Sequence, residues 1–438
     1  MVGPYKLEPG KLAERGGGRA ADALPGATGV SFHSRRVRAG DAFFALPGAA
    51  GHGLAYADAA LAAGAAYIVS DKSHPQGVTV PDPAGLLLDL GADARSTLRG
   101  PVVGVTGSAG KTTCKAFLGA ALGAEVTPGN FNTPLALAQT LIDAAVGLRT
   151  QPEARLILEL GIDHPGEMDI LLRLARPTHA VLTLIAPSHL EGLGSVEGVA
   201  REKLKLVDAA EYALVSAQAA AFLSPAQRRR VTTYGFRNAD VTGTLSEVSA
   251  EGQTLSALGV AVRLPFVGTA LAEGALAALA LAAHLGNDLK AAAHRLEGAQ
   301  LEPRRLQIHK LGPLTLLDDS YNSNPASAAA ALTTLKHFPK PHTAVLGDML
   351  ELGSESARFH RELGEQTARL DKVIAVGPEM RALIEGNLAA RYFETFDLER
   401  LLTELPERGT LLVKGSRGTR LERLVTALLS KPKQGVGA

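Results

Sequence analysis

Short apolar runs alternate with amphipathic stretches along most of this chain, and the alternation predicts an α/β fold. In the first part, β-type runs lie at 29–32, 42–46, 67–69 and 86–88, and residues 56–64 have the pattern of a helix ended by a glycine. Strands that alternate with helices are typical of an α/β domain. We therefore expect residues 1–97 to form a small N-terminal α/β domain.

The middle part of the chain has longer strands that are almost wholly apolar. The expected elements are a strand at 102–105, a helix at 111–122, strands at 156–160 and 180–185, small strands and hairpins over 229–266 and a buried helix at 271–285. Strands without polar positions are typical of a parallel sheet that is covered on both faces. We therefore expect a central parallel-sheet domain over residues 98–298.

The last part repeats the alternation of strand and helix. Strands are predicted at 314–319, 344–348, 373–376 and 411–413, and helices at about 326–337, 355–369, 380–388 and 419–430. This pattern predicts a second open parallel sheet, a C-terminal Rossmann-like domain over residues 299–438. The predicted fold class is thus α/β with three domains.

Composition narrows the class of protein. A chain of 438 residues is too long for one hydrophobic core. Its 45 Lys and Arg residues balance 44 Asp and Glu residues, so nothing favours a nucleic-acid or anionic-membrane partner. One cysteine, Cys114, excludes an internal disulfide and fits a reducing compartment. Since the amino terminus has no signal-peptide pattern, we expect a cytoplasmic chain with no integral membrane segment.

The stretch PVVGVTGSAGKTTCK, residues 101–115, predicts a nucleotide phosphate site. Glycines in the loop let the backbone approach a ligand closely, and the start of a helix offers free N–H groups to a phosphate. Lys111 supplies a cation and the Thr112 hydroxyl can bind Mg²⁺. Gly104 lies one residue too far for the common P-loop spacing, and the alternative is a glycine turn followed by a chance Lys-Thr. The expected phosphate-binding residues are Thr106, Gly107, Ser108, Ala109, Gly110, Lys111, Thr112 and Thr113.

Polar residues stand at the carboxyl ends of two middle strands. Glu159 ends one strand, and residues 188–191, Ser-His-Leu-Glu, follow another. Because open α/β sheets bind ligands at this edge, we expect both groups to face the phosphate loop. Mg²⁺ prefers oxygen ligands, so His189 is a less expected ligand than Glu159. The residues around Lys203 predict a helix, and a lysine on a helix is expected to be exposed.

Three further polar clusters leave two interpretations open. Residues 318–325 and 414–417 end strands in the third part, where they could close over a nucleotide or could serve as helix caps and turns. Residues 34–41 contain three arginines, which suit a diphosphate or carboxylate but are also common on a solvated surface.

These residues resemble the Mur ligases, the ATP-dependent amide ligases of peptidoglycan synthesis. Residues 104–113 are similar to the ATP loop of the family. Residues 347–353, GDMLELG, and 318–325 resemble the member that adds D-alanyl-D-alanine to UDP-N-acetylmuramoyl-tripeptide, and 130–134 and 188–191 match as well. The resemblance implies a monomer that uses ATP and Mg²⁺ and forms an acyl phosphate on the tripeptide.

The resemblance also assigns roles to single residues. It implies that Lys111 contacts the phosphates, that Thr112, Glu159 and His189 bind metal, and that Lys203 is carbamylated and becomes a metal ligand. Lys111, His189 and Lys203 would be the catalytic residues. Further ATP contacts are implied for Arg305, Asp319 and Asn322. Substrate contacts are implied for Ser34, Arg35, Gly40, Asp41, Asn130, Asn132, Thr133, Lys414 and Arg417.

Some positions depart from the family pattern. His33 stands where the family has Asp before Ser-Arg, 52–54 replace Asp-Gly-His, and Lys205 replaces a glutamate after the carbamate position. Residues 270–274 lack the side chains expected near adenine. Two alternatives therefore stay open: another amino-acid ligase of the family, or a non-catalytic nucleotide-binding paralogue.

Overall fold

The computed structural model describes residues 7–48, 51–147, 151 and 153–430. Contacts between Cα atoms divide the described chain into two compact units. The first unit comprises the described residues up to Gly104 together with Glu125–Gly161 and Met168–His179. The second comprises Val105–Ala124, Ile162–Glu167 and the described residues from Ala180 onward.

The described residues up to Thr97 combine short strands with helices, in agreement with the predicted α/β pattern. Strands β2, β3, β6 and β7 are parallel neighbours, β1 joins antiparallel at the edge, and β4 and β5 form a separate pair. The elements are α1 (Pro9–Arg15), β1 (Arg19–Ala20), β2 (Gly29–Ser31), β3 (Asp41–Phe44), β4 (Pro47–Gly48), β5 (Gly51–His52), α2 (Ala57–Ala62), β6 (Tyr67–Ser70), β7 (Gly77–Thr79) and α3 (Pro83–Thr97).

The strand predicted at 86–88 is wrong, because these residues lie inside helix α3. The side chain of Asp82 caps the helix by accepting a hydrogen bond from the Gly85 N–H, and Pro83 occupies the first turn. Both features are helix-start signals that outweigh a short run of leucines. Leu86 and Leu87 are buried on one face of the helix.

The middle part provides strands to both units. The elements are β8 (Val102–Thr106), α4 (Lys111–Leu122), β9 (Glu125–Val126), α5 (Pro134–Gly147), β10 (Leu156–Glu159), α6 (Glu167–Ala175), β11 (His179–Leu182), α7 (Leu190–Leu193), α8 (Val196–Ala209), β12 (Tyr212–Ser216), α9 (Pro225–Arg228), β13 (Val231–Gly235), β14 (Val241–Ser249), β15 (Gly252–Ala257), β16 (Val260–Leu264), α10 (Thr269–His284) and α11 (Leu289–Glu297).

The strands of the middle part follow the order β16-β15-β14-β13-β12-β11-β8-β10-β9. β9 and β10 are parallel. The pairs β12–β13 and β13–β14 are parallel, whereas β14, β15 and β16 form the predicted antiparallel hairpins. The buried Ala/Leu helix predicted at 271–285 is confirmed as α10.

The third part forms a six-stranded sheet in the order β17-β18-β22-β19-β20-β21. Every pair is parallel except β17–β18. The elements are β17 (Gln307–Leu311), β18 (Leu314–Asp319), α12 (Pro325–Leu335), β19 (His342–Gly347), α13 (Ser356–Thr367), β20 (Lys372–Val376), α14 (Arg381–Gly386), β21 (Arg391–Phe393), α15 (Leu398–Glu404), β22 (Gly409–Lys414) and α16 (Glu422–Ser430).

The sequence predicted an all-parallel sheet for this part of the chain. The observed sheet is mixed, because β17 pairs antiparallel with β18 at its edge. The sequence prediction omitted β17, β21 and helix α15. β17 is half-exposed along most of its length, and such an edge strand lacks the continuous apolar run of its neighbours. In the described residues no helix is long and apolar enough to cross a membrane.

Candidate nucleotide and metal site

The loop between β8 and α4 is shaped by two glycines in conformations that other residues rarely adopt. Gly107 has φ +152° and Gly110 has φ +79°. A Cβ atom on Gly107 would collide with Oγ1 of Thr183, which itself donates to the carbonyl of Ala109 at 2.6 Å. The loop is thus held against the residues after β11, and its shape requires glycine at position 107.

Helix α4 begins at Lys111, as predicted, directly after this loop. Its first N–H groups have no partner within the helix, so they can donate to an anion. Nζ of Lys111 reaches back 2.8 Å to the carbonyl of Gly107, across the mouth of the loop. Thr112 and Thr113 are buried in the first turn. Loop, helix start and cation together fit a chain of phosphates.

The segment after β11 is joined to the phosphate loop through Ser108. The N–H of Ser108 donates to the carbonyl of Leu184 at 2.7 Å, and the hydroxyl of Ser108 donates to the carbonyl of Ala186 at 2.8 Å. The Ser188 hydroxyl donates to Oγ of Ser108 at 2.9 Å. The structure therefore brings His189, the next residue, to the loop side of the sheet.

The interpretation of Lys203 as an exposed helix lysine is wrong. The residue lies on α8 with none of its surface exposed, and its Nζ atom has no hydrogen-bond partner among the described residues. Burial lowers the pKa of Lys203 well below its usual value, and the nearby charge of Lys111 lowers it further. A buried amine without a partner costs free energy, which suggests a role that the chain alone does not complete.

A residue of the third part, Arg305, reaches the start of α4. Its Nη2 donates to Oγ1 of Thr112 at 2.9 Å, and its guanidinium lies 4.2 Å from the centre of the Tyr321 ring. The backbone around it is tied to the end of β18, since the N–H of Leu306 donates to Oδ1 of Asp319 at 3.1 Å. Arg305 therefore lies beside the hydroxyl proposed for the metal.

Buried Lys414 and largely buried Asp319 form an ion pair at the ends of β22 and β18. Nζ of Lys414 donates to Oδ2 of Asp319 at 2.6 Å and to the carbonyl of Asn322 at 2.9 Å. Burial raises the pKa of Asp319, although the charge of Lys414 opposes this effect. Asn322 and Arg417 are exposed at the same sheet edge.

Helix α12 also contacts the phosphate loop through its cap. Asn324 accepts a hydrogen bond from the N–H of Ser327 at 2.9 Å, which satisfies the start of the helix. The amide nitrogen of the same side chain donates to the carbonyl of Ser108 at 3.0 Å. The polar cluster at 318–325 is thus a helix cap that also touches the loop.

The remaining proposed metal ligand, Glu159, lies in the first unit. It is buried at the end of β10, where its Oε1 accepts from Nδ2 of Asn132 at 3.0 Å. Its N–H donates to Oγ1 of Thr127 at 2.9 Å. Asn130 and Thr133 are exposed on the same loop. The structure therefore brings one expected metal ligand and one expected substrate residue together.

The arginine cluster of the first unit is built on a short turn. Ser34 and Arg35 lie in a 3₁₀ turn, and Gly40 has φ +89°. The Asp41 carboxylate is buried and accepts from the N–H of Arg38 at 2.8 Å, and burial raises the pKa of Asp41. Arg35 and Arg38 are exposed, as expected for either interpretation of the cluster.

Sequence reasoning missed two groups near His189. Its Nδ1 lies 2.5 Å from Oε2 of Glu351, which belongs to the GDMLELG motif. Asp163, His164 and Glu167 offer ligand atoms within 4.8 Å of one another, on a segment next to α7. The motif itself was a signal for Glu351, but its partner could not be derived from spacing along the chain.

Three family models match the chain in sequence order. The model described as "Mur ligase family, catalytic domain" matches residues 27–83. The "Mur ligase middle domain" matches residues 105–282, and the "Mur ligase, glutamate ligase domain" matches residues 304–417.

Named relatives align over almost the whole chain. The UDP-N-acetylmuramoyl-tripeptide–D-alanyl-D-alanine ligase of Bacillus subtilis is 32% identical, over 92% of this chain and 93% of the relative. The enzyme of the same name from Escherichia coli is 34% identical, over 91% of this chain and 93% of the relative.

Solved structures agree with this alignment. A crystal structure of MurF from Acinetobacter baumannii is 28% identical and superposes with a TM-score of 0.83, over 98% of this chain and 99% of that one. MurF ligase from Thermotoga maritima in complex with ADP is 26% identical, with a TM-score of 0.77 over 91% and 96% of the two chains. The latter binds ADP, a product of ATP.

Proposed function

Because this chain belongs to the Mur ligase family, we propose that it joins D-alanyl-D-alanine to UDP-N-acetylmuramoyl-tripeptide, with conversion of ATP to ADP and phosphate. The observation that carries the proposal is the phosphate loop with the start of α4. Lys111, Ser188 and Asn324 contact the loop, and Arg305 contacts Thr112 in the first turn of the helix. The choice of acid and amine follows the names of the relatives that align over the full chain.

The proposed reaction has two steps. A terminal carboxylate oxygen of the tripeptide attacks the γ-phosphorus of ATP, so that an acyl phosphate forms and ADP leaves. The amine of D-alanyl-D-alanine then attacks the acyl carbon, phosphate leaves, and the amine loses a proton. Catalysis of phosphoryl transfer depends mainly on in-line positioning and on neutralising charge at the transferred group.

Residues of the second unit suit this task. The first N–H groups of α4 can bind the phosphate oxygens, and Lys111 can exchange the carbonyl of Gly107 for a phosphate. Arg305 can donate a hydrogen bond to ATP in place of the one that it donates to Thr112. The stacking of its guanidinium on the Tyr321 ring keeps it in position. Charged donors at a transferring phosphoryl group stabilise the transition state.

We assign the metal to Thr112, Glu159, His189 and Lys203. When bound, Mg²⁺ would neutralise negative charge on the phosphates. Lys203 fits the assignment only after its neutral amine adds to CO₂: an N–C bond forms and a proton leaves, which turns the amine into a carboxylate-like group. The support for this step is the burial, lowered pKa and missing partner of Nζ among the described residues.

We propose the division of labour among the three domains on the same basis. Residues 1–97 would bind the UDP-muramoyl part through Ser34, Arg35 and their neighbours, residues 98–298 would bind ATP, and residues 299–438 would deliver D-alanyl-D-alanine. Each of the three matched family models falls within one of these ranges. We further propose that the chain works as a monomer. We place it in the cytoplasm, because ATP is available there.

The test is an ADP-release assay paired with chromatography of the UDP-linked product. We expect ADP and an extended peptide only when the muramoyl tripeptide, D-alanyl-D-alanine, ATP and Mg²⁺ are all present. Reactions that lack one component are the controls. Tight ATP binding without amide formation on any muramoyl peptide would instead favour the non-catalytic paralogue, and extension by a single amino acid would favour another ligase of the family.

A further inference from the structure

The loop that carries Glu351 is fixed firmly in the third part of the chain. The N–H of Met349 donates to Nε2 of His360 at 3.0 Å, and Met349 is fully buried. The N–H of Leu350 donates to Oγ of Ser416 at 3.0 Å. Glu351 therefore projects from a rigid support, which is the condition for fixing the orientation of another side chain.

Two contacts join this loop to the segment of His189. Oε2 of Glu351 lies 2.5 Å from Nδ1 of His189, and the carbonyl of Glu351 accepts from the N–H of Glu191 at 3.2 Å. Both His189 and Glu351 have positive φ, +51° and +66°, which non-glycine residues rarely adopt. A strained backbone on both sides of one contact indicates a constraint beyond ordinary packing.

The contact determines which ring nitrogen of His189 remains for a ligand. An imidazole lone pair and a carboxylate oxygen only 2.5 Å apart would repel each other, so Nδ1 must carry the proton where it meets Glu351, although its N–H is not aligned with Oε2 as in an ordinary hydrogen bond. Nε2 is then the nitrogen that can offer a lone pair. Histidines that bind metals usually give their other N–H to a carboxylate or carbonyl, which fixes the ring.

Stability is a poor explanation for this pair. The side chain of Glu351 is 53% exposed, and ion pairs at such exposure contribute little, about 0–1 kcal/mol. Orientation of a ring requires only that the carboxylate be present and correctly placed. The structure supplies that placement through the buried Met349 and the serine contact of the loop.

We propose that Glu351 is a positioning residue that holds His189 with Nε2 toward the metal, so that the third part of the chain completes the metal site. This inference rests on the proposed function, because it takes His189 as a metal ligand. By linkage, docking of the Glu351 loop and binding of the metal–nucleotide favour one another.

The test measures metal affinity directly, by calorimetric titration of Mn²⁺ into the full chain with a non-hydrolysable ATP analogue. Glu351→Ala should weaken Mn²⁺ binding by roughly 10- to 100-fold, as for other partners of metal-bound histidines. Glu351→Gln should lose less, because its amide oxygen can still accept from Nδ1. Glu355→Ala is the matched control: Glu355 is exposed near the same loop but pairs with Arg358, and we expect no change.

A second readout follows the ring itself. In a ¹H–¹⁵N spectrum of the histidine rings, the signals lost in His189→Ala should report a proton on Nδ1 in the wild type. Glu351→Ala should move that proton toward Nε2, whereas Glu355→Ala should not. Melting curves of every variant check that the fold is kept, and Glu351→Gln serves if Glu351→Ala does not fold.

The outcomes separate this inference from the function on which it rests. If His189→Ala weakens Mn²⁺ binding while Glu351→Ala leaves it equal or makes it tighter, Glu351 is not a positioning residue and the proposed ligase function stands. If His189→Ala also leaves the affinity unchanged, His189 is not a metal ligand and the inference is wrong with it.

Discussion

Replacement of Lys203 by methionine should stabilise the protein and abolish its ligase activity. Nζ of Lys203 is fully buried and has no hydrogen-bond partner among the described residues. Methionine has a similar length and no polar head. The variant therefore removes the unsatisfied amine and keeps most of the packing of α8.

The expected gain follows from the state of the amine. A buried polar group without a partner costs about 1–3 kcal/mol, so Lys203→Met should raise the free energy of unfolding by about that amount. For a domain of about 200 residues, 1 kcal/mol corresponds to roughly 2–4 °C in melting temperature. Removing a buried group usually destabilises a protein, so a gain of this size is a distinctive result.

The pH dependence has a definite sign. The pKa of Lys203 in the folded protein lies below 10.5, which is its ordinary value in the unfolded chain. At a pH between these two pKa values, the unfolded chain binds more protons than the folded protein. Stability of the wild type should therefore rise as the pH increases toward about 10.5. Lys203→Met lacks this titration, so its advantage in melting temperature should shrink between pH 7 and pH 10.

The assay is a melting curve in CO₂-free buffer, repeated with bicarbonate. Bicarbonate should stabilise the wild type, through the carbamate, and leave Lys203→Met unchanged. Lys205→Met on the same helix is the control: Lys205 pairs with Glu202 at 2.8 Å, so its loss should lower stability slightly. A Lys203→Met protein that melts below the wild type by as much as Lys205→Met, or one that keeps full ligase activity, would refute the reasoning.

Two further predictions concern the phosphate loop. Gly107→Ala places a Cβ against Oγ1 of Thr183 and requires φ +152°, so we expect ATP binding to weaken at least tenfold in a fluorescence titration, and wild-type affinity would contradict the geometry. Arg305→Lys keeps the charge but loses the planar fork and its stacking on Tyr321, so KM for ATP should rise several-fold with little change in melting temperature; an unchanged KM would remove Arg305 from the nucleotide site.

Much of this fold follows from periodicity along the chain. Helix α4 and its glycine loop were predicted because a strand, turn residues and a helix start agree locally at 101–115. The strand expected at 86–88 failed because three leucines have no decisive period, and the Asp82 cap and Pro83 determined the outcome instead. Local signals thus predict well where several of them agree.

The side-chain environments of the site were harder to predict. Lys203 looks like an exposed helix lysine because exposure of a single charged residue depends on what packs over its helix, which spacing does not reveal. The contact of Glu351 with His189 joins residues 162 positions apart (351 − 189), and no local rule specifies it. Resemblance to a family supplied the roles that periodicity could not.

Asn324 shows why one amide residue can be hard to replace at the start of a helix. Its oxygen caps α12, and its nitrogen donates to the carbonyl of Ser108 in the phosphate loop. Aspartate or serine would cap the helix about as well, but aspartate would turn an oxygen toward that carbonyl and serine is too short to serve both partners. A side chain with a donor and an acceptor on one planar head can serve both partners at once, so it ties the start of α12 to the loop before α4.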